Sequence, residues 1–343
     1  MSENKMRVGM IGMGGIAYMH EAGYTDPGDF SEIVAVCDVD EALARGRAIP
    51  YGATAYTDYR ALIADPAVDL VDITVPHHLH YPIALAALQQ RKHVLVEKPM
   101  AMKSVQALHL IDTARSLGVK FTVAENTHYV AAYREAERAL QSQELGDIRF
   151  VRTYIAGSEA VRIKKSTSWV GSPENSGVLL DSGVHSFYLL RWLFGGVRNI
   201  QAFASRIIPE SQVDDNTIAF GHLANGAVFE SVLSCVVEAP WTERLEIHGS
   251  KGSLVIDQLT NPPVMHFQGP DDVEGTPVES VPYEPLAWKY LSIVAEVQDF
   301  ARAIIEDHPP LIDPMYGYHA VQVVEAAYQS IATGKLVAIE QQS

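Results

Sequence analysis

The most constraining feature of this sequence is a regular alternation of short apolar runs with helix-like stretches over its first third. Five runs read as strands: MRVGMIG (6–12), IVAVCD (33–38), LVDITVP (70–76), HVLVEKP (93–99) and KFTVAEN (120–126). They are apolar nearly throughout, as strands buried on both faces of a sheet are. Helix-like stretches such as YPIALAALQQ and SVQALHLIDTARSLG separate them. The alternation predicts an α/β fold with a doubly wound parallel sheet.

The first predicted strand ends in a glycine-rich turn, GMGGIA (12–17), with the G-x-G-x-x-A spacing of a dinucleotide-binding loop. Gly12 would allow a tight turn, and Gly14 would let the backbone approach a pyrophosphate. Ala17 would permit close packing of the next helix on the strand. Because backbone N–H groups at the start of a helix bind phosphate, the turn predicts a bound dinucleotide.

The next predicted strand ends in an acid, Asp38, which bears on the identity of the dinucleotide. A carboxylate at this point accepts hydrogen bonds from the hydroxyls of the adenosine ribose, whereas it repels a 2′-phosphate. The sequence therefore favours NAD over NADP. Arg45 and Arg47 lie on the following helix and leave NADP open as an alternative.

Polar residues follow three of the predicted strands, in PHHLH (76–80), EKP (97–99) and ENTHY (125–129). Ligands of parallel sheets bind beyond the carboxyl ends of the strands, so we expect these segments to meet at one edge. No cysteine or carboxylate stands at ligand spacing beside the histidines of PHHLH, and we expect no metal site. The residues expected to contact the cofactor are Gly12, Gly14, Gly15, Ile16, Ala17, Asp38, Pro76, His77, His80, Glu97, Lys98 and Asn126.

An apolar segment in the second half of the chain, GVLLDSGVHSFYLLRWLFGG (177–196), predicts a buried helix from Val178 to Phe194. Asp181 and His185 interrupt it four residues apart, a spacing that places both side chains on one face of a helix. Two interpretations account for this pair. The acid could stabilise the helix N-terminus while the histidine is satisfied in the core, or the two could form a catalytic pair.

Six segments, in order along nearly the whole chain, resemble the Gfo/Idh/MocA family of NAD(P)-dependent oxidoreductases: VGMIGMGGIA, VAVCDVD, VDLVDITVPHHLH, KHVLVEKPMA, LLDSGVH and NGAVFESVLS. In that family the lysine of E-K-P and the D-x-x-x-H pair flank the substrate carbon beside the nicotinamide. The resemblance implies that Lys98, Asp181 and His185 are catalytic, and that the bond from Lys98 to Pro99 is cis. The chain departs from many members of the family at three positions. It has His77 where they have Asn, Val170 where they have Arg, and Tyr188 where they have Asp.

These residue types suit the oxidation of an alcohol, which needs a base for the hydroxyl proton while a hydride leaves the same carbon. An imidazole with a pKa of about 6.5 exchanges protons at neutral pH, and a lysine ammonium stabilises a developing alkoxide. We therefore expect His185 to be the general base, Lys98 its electrostatic partner and Asp181 the orienting acid, although Lys98 could itself accept the proton. The residues expected to contact the substrate are Lys98, His128, Tyr129, Trp169, Asp181 and His185. Trp169 could instead pack as core.

The sequence thus predicts an NAD-dependent dehydrogenase that acts on a secondary alcohol of a sugar, polyol or related cyclic compound. Two other functions would use the same fold. An NAD-dependent glycosidase oxidises its substrate transiently, eliminates the aglycone and regenerates the cofactor. A sensor binds the dinucleotide and a regulatory partner without turnover, although such a protein needs no base.

The pattern changes after the fifth predicted strand, and we expect a dinucleotide-binding Rossmann domain at 1–125 and a substrate-binding and oligomerisation domain at 126–343. In the second part, β-type runs follow one another, and Asn225-Gly226 is a strong hairpin signal. Helices are expected at 288–306 and 314–333. This pattern predicts an α+β domain with a large, mostly antiparallel sheet. Because family members commonly assemble through that sheet, we expect a homo-oligomer, either a dimer or a tetramer.

Charge and composition exclude several other classes. A net charge of −16 over 343 residues disfavours binding to nucleic acid or to an anionic membrane. No apolar stretch is long enough for a transmembrane helix. Cys37 and Cys235 lie in apolar runs, and the first residues lack the parts of a signal peptide, so we expect a cytoplasmic protein.

Overall fold

The protein is described here by a computed structural model that covers residues 5–25, 30–158, 172, 177–283 and 287–340. The chain divides into two units. The first unit is Met1–Asn126 together with Lys289–Tyr318, and the second is Thr127–Trp288 together with His319–Ser343. A segment near the C-terminus therefore belongs with the N-terminal unit.

A six-stranded sheet forms the centre of the first unit, in the order β3-β2-β1-β4-β5-β6, and its neighbouring strands are all parallel. Its strands are β1 (Met6–Ile11), β2 (Ser31–Cys37), β3 (Thr54–Tyr56), β4 (Leu70–Ile73), β5 (His93–Glu97) and β6 (Phe121–Ala124). The strand order reverses at β1, which lies between β2 and β4. Ligands bind beyond the carboxyl ends of the strands at such a reversal. The predicted doubly wound parallel sheet is confirmed.

Helices connect these strands, as the apolar period in the sequence predicts. They are α1 (Ala17–Thr25), α2 (Glu41–Ala48), α3 (Tyr59–Ala64), α4 (His80–Gln89) and α5 (Ser104–Leu117), with short 3₁₀ turns at Ile49–Tyr51, His77–Leu79 and Asn126–Tyr129. Side chains of Asp40 and Asp58 cap α2 and α3 by accepting hydrogen bonds from the first backbone N–H groups. The short strand β3 and helix α3 were absent from the prediction.

A nine-stranded sheet forms the centre of the second unit, in the order β14-β13-β12-β11-β7-β10-β9-β8-β15. Its strands are β7 (Ile148–Ala156), β8 (Val197–Ser205), β9 (Asn216–Leu223), β10 (Val228–Ser234), β11 (Thr242–Gly249), β12 (Ser253–Asp257), β13 (Val264–Phe267), β14 (Thr276–Pro277) and β15 (Val337–Ala338). The pair β7 and β10 is parallel, and the other neighbouring pairs are antiparallel. Asn225-Gly226 turns the chain between β9 and β10, as predicted, and the predicted mostly antiparallel sheet is confirmed.

The predicted single helix from Val178 to Phe194 is wrong in one respect, because it is broken at Ser182. The second unit contains α6 (Ala131–Gln141), α7 (Val178–Asp181) and α8 (Gly183–Phe194). At the break, the N–H of His185 donates to the carbonyl of Ser182, only three residues back, at 3.2 Å. This tighter bond replaces the usual four-residue step and interrupts the helix.

Two long helices complete the chain, α9 (Trp288–Ile305) and α10 (Pro314–Thr333). Almost all of α9 belongs to the first unit, where Val297 and Phe300 join a core with Val8 and Met10 of β1 and Tyr24 of α1. Helix α10 begins in the first unit and continues in the second. No helix in the described part of the chain is both long and apolar enough to cross a lipid bilayer.

One face of the nine-stranded sheet is buried and the other is open. Along β9, buried residues alternate with exposed ones, and the exposed positions carry Ile218 and Phe220. Phe203 on β8 and Val228 on β10 are also exposed, at 55% and 42%. Because a β-strand places alternate side chains on opposite faces, these apolar side chains share the open face.

Candidate active site

The glycine loop after β1 has the geometry that a dinucleotide requires. Gly12 has a φ of +91°, and a Cβ there would lie 2.6 Å from the carbonyl oxygen of Thr74, so only glycine fits. A Cβ added at Gly14 or Gly15 would meet no atom within 4 Å, so their backbone faces open space beside the start of α1. Ala17 is fully buried where α1 begins. The loop therefore fits the phosphate end of a dinucleotide.

Asp38 follows β2 and is held directly against this loop. One carboxylate oxygen accepts a hydrogen bond from the N–H of Met13 at 2.8 Å, and the other accepts from the N–H of Asp40 at 3.0 Å. The structure thus brings together two features that lie 25 residues apart in the sequence. The nearby arginines are paired with acids: Arg45 with Glu41, and Arg47 with Glu21 at 2.8 Å.

His77 and His80 lie beyond the end of β4, as predicted. His77 is buried in the 3₁₀ turn, whereas His80 begins α4 and has no exposed surface. The ring of His80 lies between two carbonyl oxygens, 2.7 Å from that of Pro99 and 2.8 Å from that of Val75. Burial lowers the pKa of His80 and outweighs the opposing effect of the two carbonyls. This ring joins the loop after β4 to the loop after β5.

Lys98 follows β5, and the peptide bond that joins it to Pro99 is cis, as the family resemblance implies. Its backbone N–H donates to a carboxylate oxygen of Glu97 at 2.9 Å. The other oxygen of Glu97 lies 3.2 Å from Nε2 of His20, and Nδ1 of the same ring lies 2.9 Å from Asp72. Sequence reasoning missed His20 and Asp72. The charged Asp72 inside the otherwise apolar run LVDITV was a signal for a buried polar contact.

Asn126 ends the first unit just after β6. Its side chain is nearly buried and donates to the hydroxyl of Ser292 on α9 at 2.7 Å. Pro76 precedes the 3₁₀ turn that holds His77. Contacts of these residues with the cofactor remain predictions, as do those of Ile16, which is partly buried beside the first-unit core.

Asp181 and His185 are distinguished from their neighbours by exposure. Among residues 177–190, these two side chains are partly exposed, and the other residues of that stretch are buried. Asp181 ends α7 and His185 lies in the first turn of α8, so the pair flanks the break at Ser182. If His185 were only a histidine satisfied in the core, which is the first of the two interpretations above, its side chain would be buried. The exposure favours a chemical role for the pair.

Asp214 fixes the start of α7, and sequence reasoning missed it. Its side chain accepts from the N–H of Leu179 at 2.9 Å, and its carbonyl oxygen accepts from the N–H of Val178 at 2.9 Å. The hydroxyl of Tyr328 donates to the other carboxylate oxygen at 2.8 Å. Asp214 therefore serves as an N-terminal cap, although it lies 35 residues from the helix it caps.

The predicted substrate residues His128 and Tyr129 lie in the 3₁₀ turn that opens the second unit. His128 is buried, its Nδ1 lies 2.9 Å from the hydroxyl of Tyr188, and its ring stacks on Trp192 with centroids 3.8 Å apart. Tyr188, where many family members have Asp, thus forms a hydrogen-bonded pair with this histidine. Trp169 lies outside the described residues. In the described part of the chain, no cluster of His, Cys, Asp or Glu side chains could hold a metal ion.

Comparisons with known proteins agree with this architecture. Residues 6–125 match the oxidoreductase family with an NAD-binding Rossmann fold, and residues 133–255 match the GFO/IDH/MocA C-terminal domain. The chain is 29% identical to glucose-6-phosphate 3-dehydrogenase of Bacillus subtilis (strain 168) over 258 residues, which cover 71% of this chain and 72% of the relative. It is 24% identical to levoglucosan dehydrogenase of Pseudarthrobacter phenanthrenivorans, with 98% of each chain covered.

A solved structure of levoglucosan dehydrogenase in complex with NADH has the same fold, with a TM-score of 0.88. Its sequence identity to this chain is 24%, and the match covers 99% of this chain and 100% of that one. The predicted cofactor, NAD, and the predicted enzyme class, an oxidoreductase, are confirmed by the family match. Both matched domains occur in their family order along the chain, which therefore belongs to the Gfo/Idh/MocA family of NAD-binding oxidoreductases.

Proposed function

We propose that this oxidoreductase oxidises a secondary alcohol of a sugar, a polyol or a related cyclic compound. The relatives named above act, by their names, on glucose 6-phosphate and on levoglucosan, both of which belong to this class. The observation that carries the proposal is the partial exposure of Asp181 and His185 in a stretch that is otherwise buried. In this proposal, residues 1–125 bind the cofactor and residues 126–343 supply the substrate side.

The glycine loop from Gly12 to Ala17 would hold the pyrophosphate, and Asp38 would hold the adenosine ribose. When bound, NAD⁺ supplies the acceptor for the hydrogen that leaves the substrate carbon with its electron pair. His185 takes the hydroxyl proton, since an imidazole is suited to proton exchange near neutral pH. Lys98 donates a hydrogen bond to the same oxygen and stabilises its developing negative charge, while Asp181 orients the pair.

The test is a search for substrates by the near-ultraviolet absorbance of NADH. Sugars, polyols, sugar acids and sugar phosphates are offered with NAD and NADP in parallel, and we expect at least one to give stoichiometric NADH. Lys98→Ala and His185→Gln should each lower kcat by about a hundredfold or more while NAD still binds. His109→Gln is the matched control, because His109 contacts Tyr81 on the surface of the first unit.

Three other outcomes would contradict all or part of this proposal. Release of an aglycone without net NADH would replace the dehydrogenase by a redox-neutral glycosidase. Tight NAD binding without turnover of any compound would favour a sensor. Unchanged turnover in Lys98→Ala would remove that residue from the mechanism.

We also propose that the protein is a cytoplasmic homo-oligomer, a dimer or a tetramer, that assembles through the open face of the nine-stranded sheet. Support comes from the apolar side chains on that face, where the rings of Phe203 and Phe220 stack with centroids 6.3 Å apart. Both cysteines are buried free thiols, as in proteins of a reducing compartment. Light scattering after gel filtration should give an oligomer mass, and Phe220→Glu should lower it. A monomer mass for the parent protein would contradict the proposal.

A further inference from the structure

The side chain of Glu97 links Lys98 to a buried histidine. One carboxylate oxygen accepts a hydrogen bond from the backbone N–H of Lys98 at 2.9 Å, and the other lies 3.2 Å from Nε2 of His20. Both oxygens of Glu97 are therefore engaged, one by the residue of interest and the other by a ring 77 residues away in sequence. The rotamer of Glu97 is fixed by these two contacts.

His20 is held just as firmly on its other side. It has no exposed surface, and its Nδ1 lies 2.9 Å from a carboxylate oxygen of Asp72, which is also fully buried. A neutral imidazole has one N–H, so only the protonated ring donates to both carboxylates. Burial opposes that charge, but Asp72 and Glu97 together raise the pKa of His20 well above its ordinary range. The ring is thus an imidazolium between two carboxylates.

The charge of His20 also decides what Glu97 does. Burial penalises the carboxylate, but the hydrogen bond and charge of His20, and then the charge of Lys98, lower the pKa of Glu97 to about 2. Glu97 is therefore ionised, and it stands one residue before the lysine that the proposed mechanism uses. Without His20, the positive charge that acts most strongly on Glu97 would be the ammonium of Lys98. An ion pair with Glu97 would then draw that ammonium away from a substrate oxygen.

We propose that His20 is a positioning residue for Lys98. By holding one oxygen of Glu97, its ring fixes the backbone at Lys98 and prevents the Glu97 carboxylate from capturing the lysine ammonium. This inference rests on the proposed function, in which Lys98 acts on the substrate oxygen. A purely structural alternative is that His20 only ties α1 to β4 and β5.

The first test measures Lys98 directly and needs no substrate. An acetylating reagent modifies free amines, and peptide mass spectrometry gives the rate at Lys98 relative to exposed Lys251 in the same sample. In His20→Gln, an ion pair with Glu97 should retain the ammonium form and slow the modification of Lys98 about fivefold. Far-ultraviolet circular dichroism and NADH fluorescence confirm that the variant is folded and binds the cofactor.

A second variant separates positioning from structural loosening. In His20→Gln/Glu97→Gln, the carboxylate at position 97 that would capture the ammonium is gone, and the rate at Lys98 should return to the parent value. His109→Gln is the matched control, because it makes the same substitution at a surface histidine that contacts Tyr81 and not Glu97, and it should leave the rate within about twofold. An unchanged rate in His20→Gln, or a slow rate that the double variant fails to restore, would overturn the inference.

The effect of His20 on catalysis is then measured as turnover, with the alcohol that gives the fastest NADH formation in the substrate search described above. His20→Gln should lower kcat about tenfold with little change in the KM for NAD, and it should have no further effect when Lys98 is already Ala. An additive loss in the double variant would show that His20 does not act through Lys98. If Lys98→Ala alone retains full turnover, the proposed role of Lys98 in the mechanism fails, while the labelling result still decides whether His20 controls Lys98.

Discussion

His319 offers a prediction about stability whose magnitude follows from the structure. It lies in α10, nearly buried, and its Nε2 accepts a hydrogen bond from the backbone N–H of Val197 at 3.1 Å. Protonation of that nitrogen would remove the bond and place a cation near Arg191. Burial first, and then the charge of Arg191, lower the pKa of His319 from its ordinary value of 6.5 to about 4.

The sign of the pH effect follows from these two values. Below pH 6.5 the unfolded chain binds a proton at His319, whereas the folded chain does so only near pH 4. The unfolded state therefore binds more protons in this window, and stability is lost as the pH falls through it. Between pH 7.5 and pH 5 the loss from this one group amounts to about 2 kcal/mol, since one pKa unit corresponds to about 1.4 kcal/mol.

The perturbation that isolates this group is His319→Gln, which keeps a neutral acceptor and cannot titrate. Urea unfolding of both proteins at one fixed concentration, from pH 7.5 to pH 5, gives two curves of unfolding free energy. Other groups titrate in both proteins and cancel in the difference. The parent should lose about 2 kcal/mol more than the variant over this range. Parallel curves would refute the reasoning, because they would mean that His319 titrates alike in the folded and unfolded chains.

Two further predictions concern Asp38 beside the glycine loop and Asp214 at the start of α7. Asp38→Ala should raise the KM for NAD about tenfold or more, because the carboxylate that binds the free ribose hydroxyls is lost. The KM for NADP should rise less, and an equal rise for both cofactors would contradict the assigned role of Asp38. Asp214→Ala should lower the urea-unfolding free energy by about 1–2 kcal/mol through loss of the α7 cap and should also lower kcat, whereas Asp58→Ala, which removes the cap of α3, should lower stability alone.

The parts of the fold that have a signature within a short stretch of sequence could be predicted. Apolar strands, the glycine turn and the acid at the end of β2 each have a signature within a few residues, and the structure brings Gly12 and Asp38 to one loop through the N–H of Met13. Contacts between distant segments had no such signature. The parallel pairing of β7 with β10 joins strands that are separated by α7, α8 and two other strands, and no periodicity encodes that choice.

The candidate site likewise contains residues that could be predicted from the sequence and residues that could not. Lys98, Asp181 and His185 could be named because short motifs carry them, whereas the residues that hold them are remote in sequence. The break at Ser182 also escaped prediction, although Gly183 follows it directly, because a single glycine inside an apolar helical run does not by itself mark the end of a helix. Asp72 was visible as a charge in an apolar strand, but its partner His20 lies 52 residues away.

In each of the two units, a partly exposed residue of the proposed mechanism is supported by a neighbouring acid. Lys98 and Asp181 are partly exposed, so close packing cannot hold them, and each would lose conformational freedom on binding a substrate. In each unit the backbone beside the residue is instead fixed by an acid whose two oxygens are both engaged: Glu97 by Lys98 N–H and His20, and Asp214 by Leu179 N–H and Tyr328. Such support orients a reactive group before the substrate arrives. Loss of His20 or Tyr328 should therefore lower kcat, measured by NADH formation, although neither residue touches the substrate in the proposed mechanism.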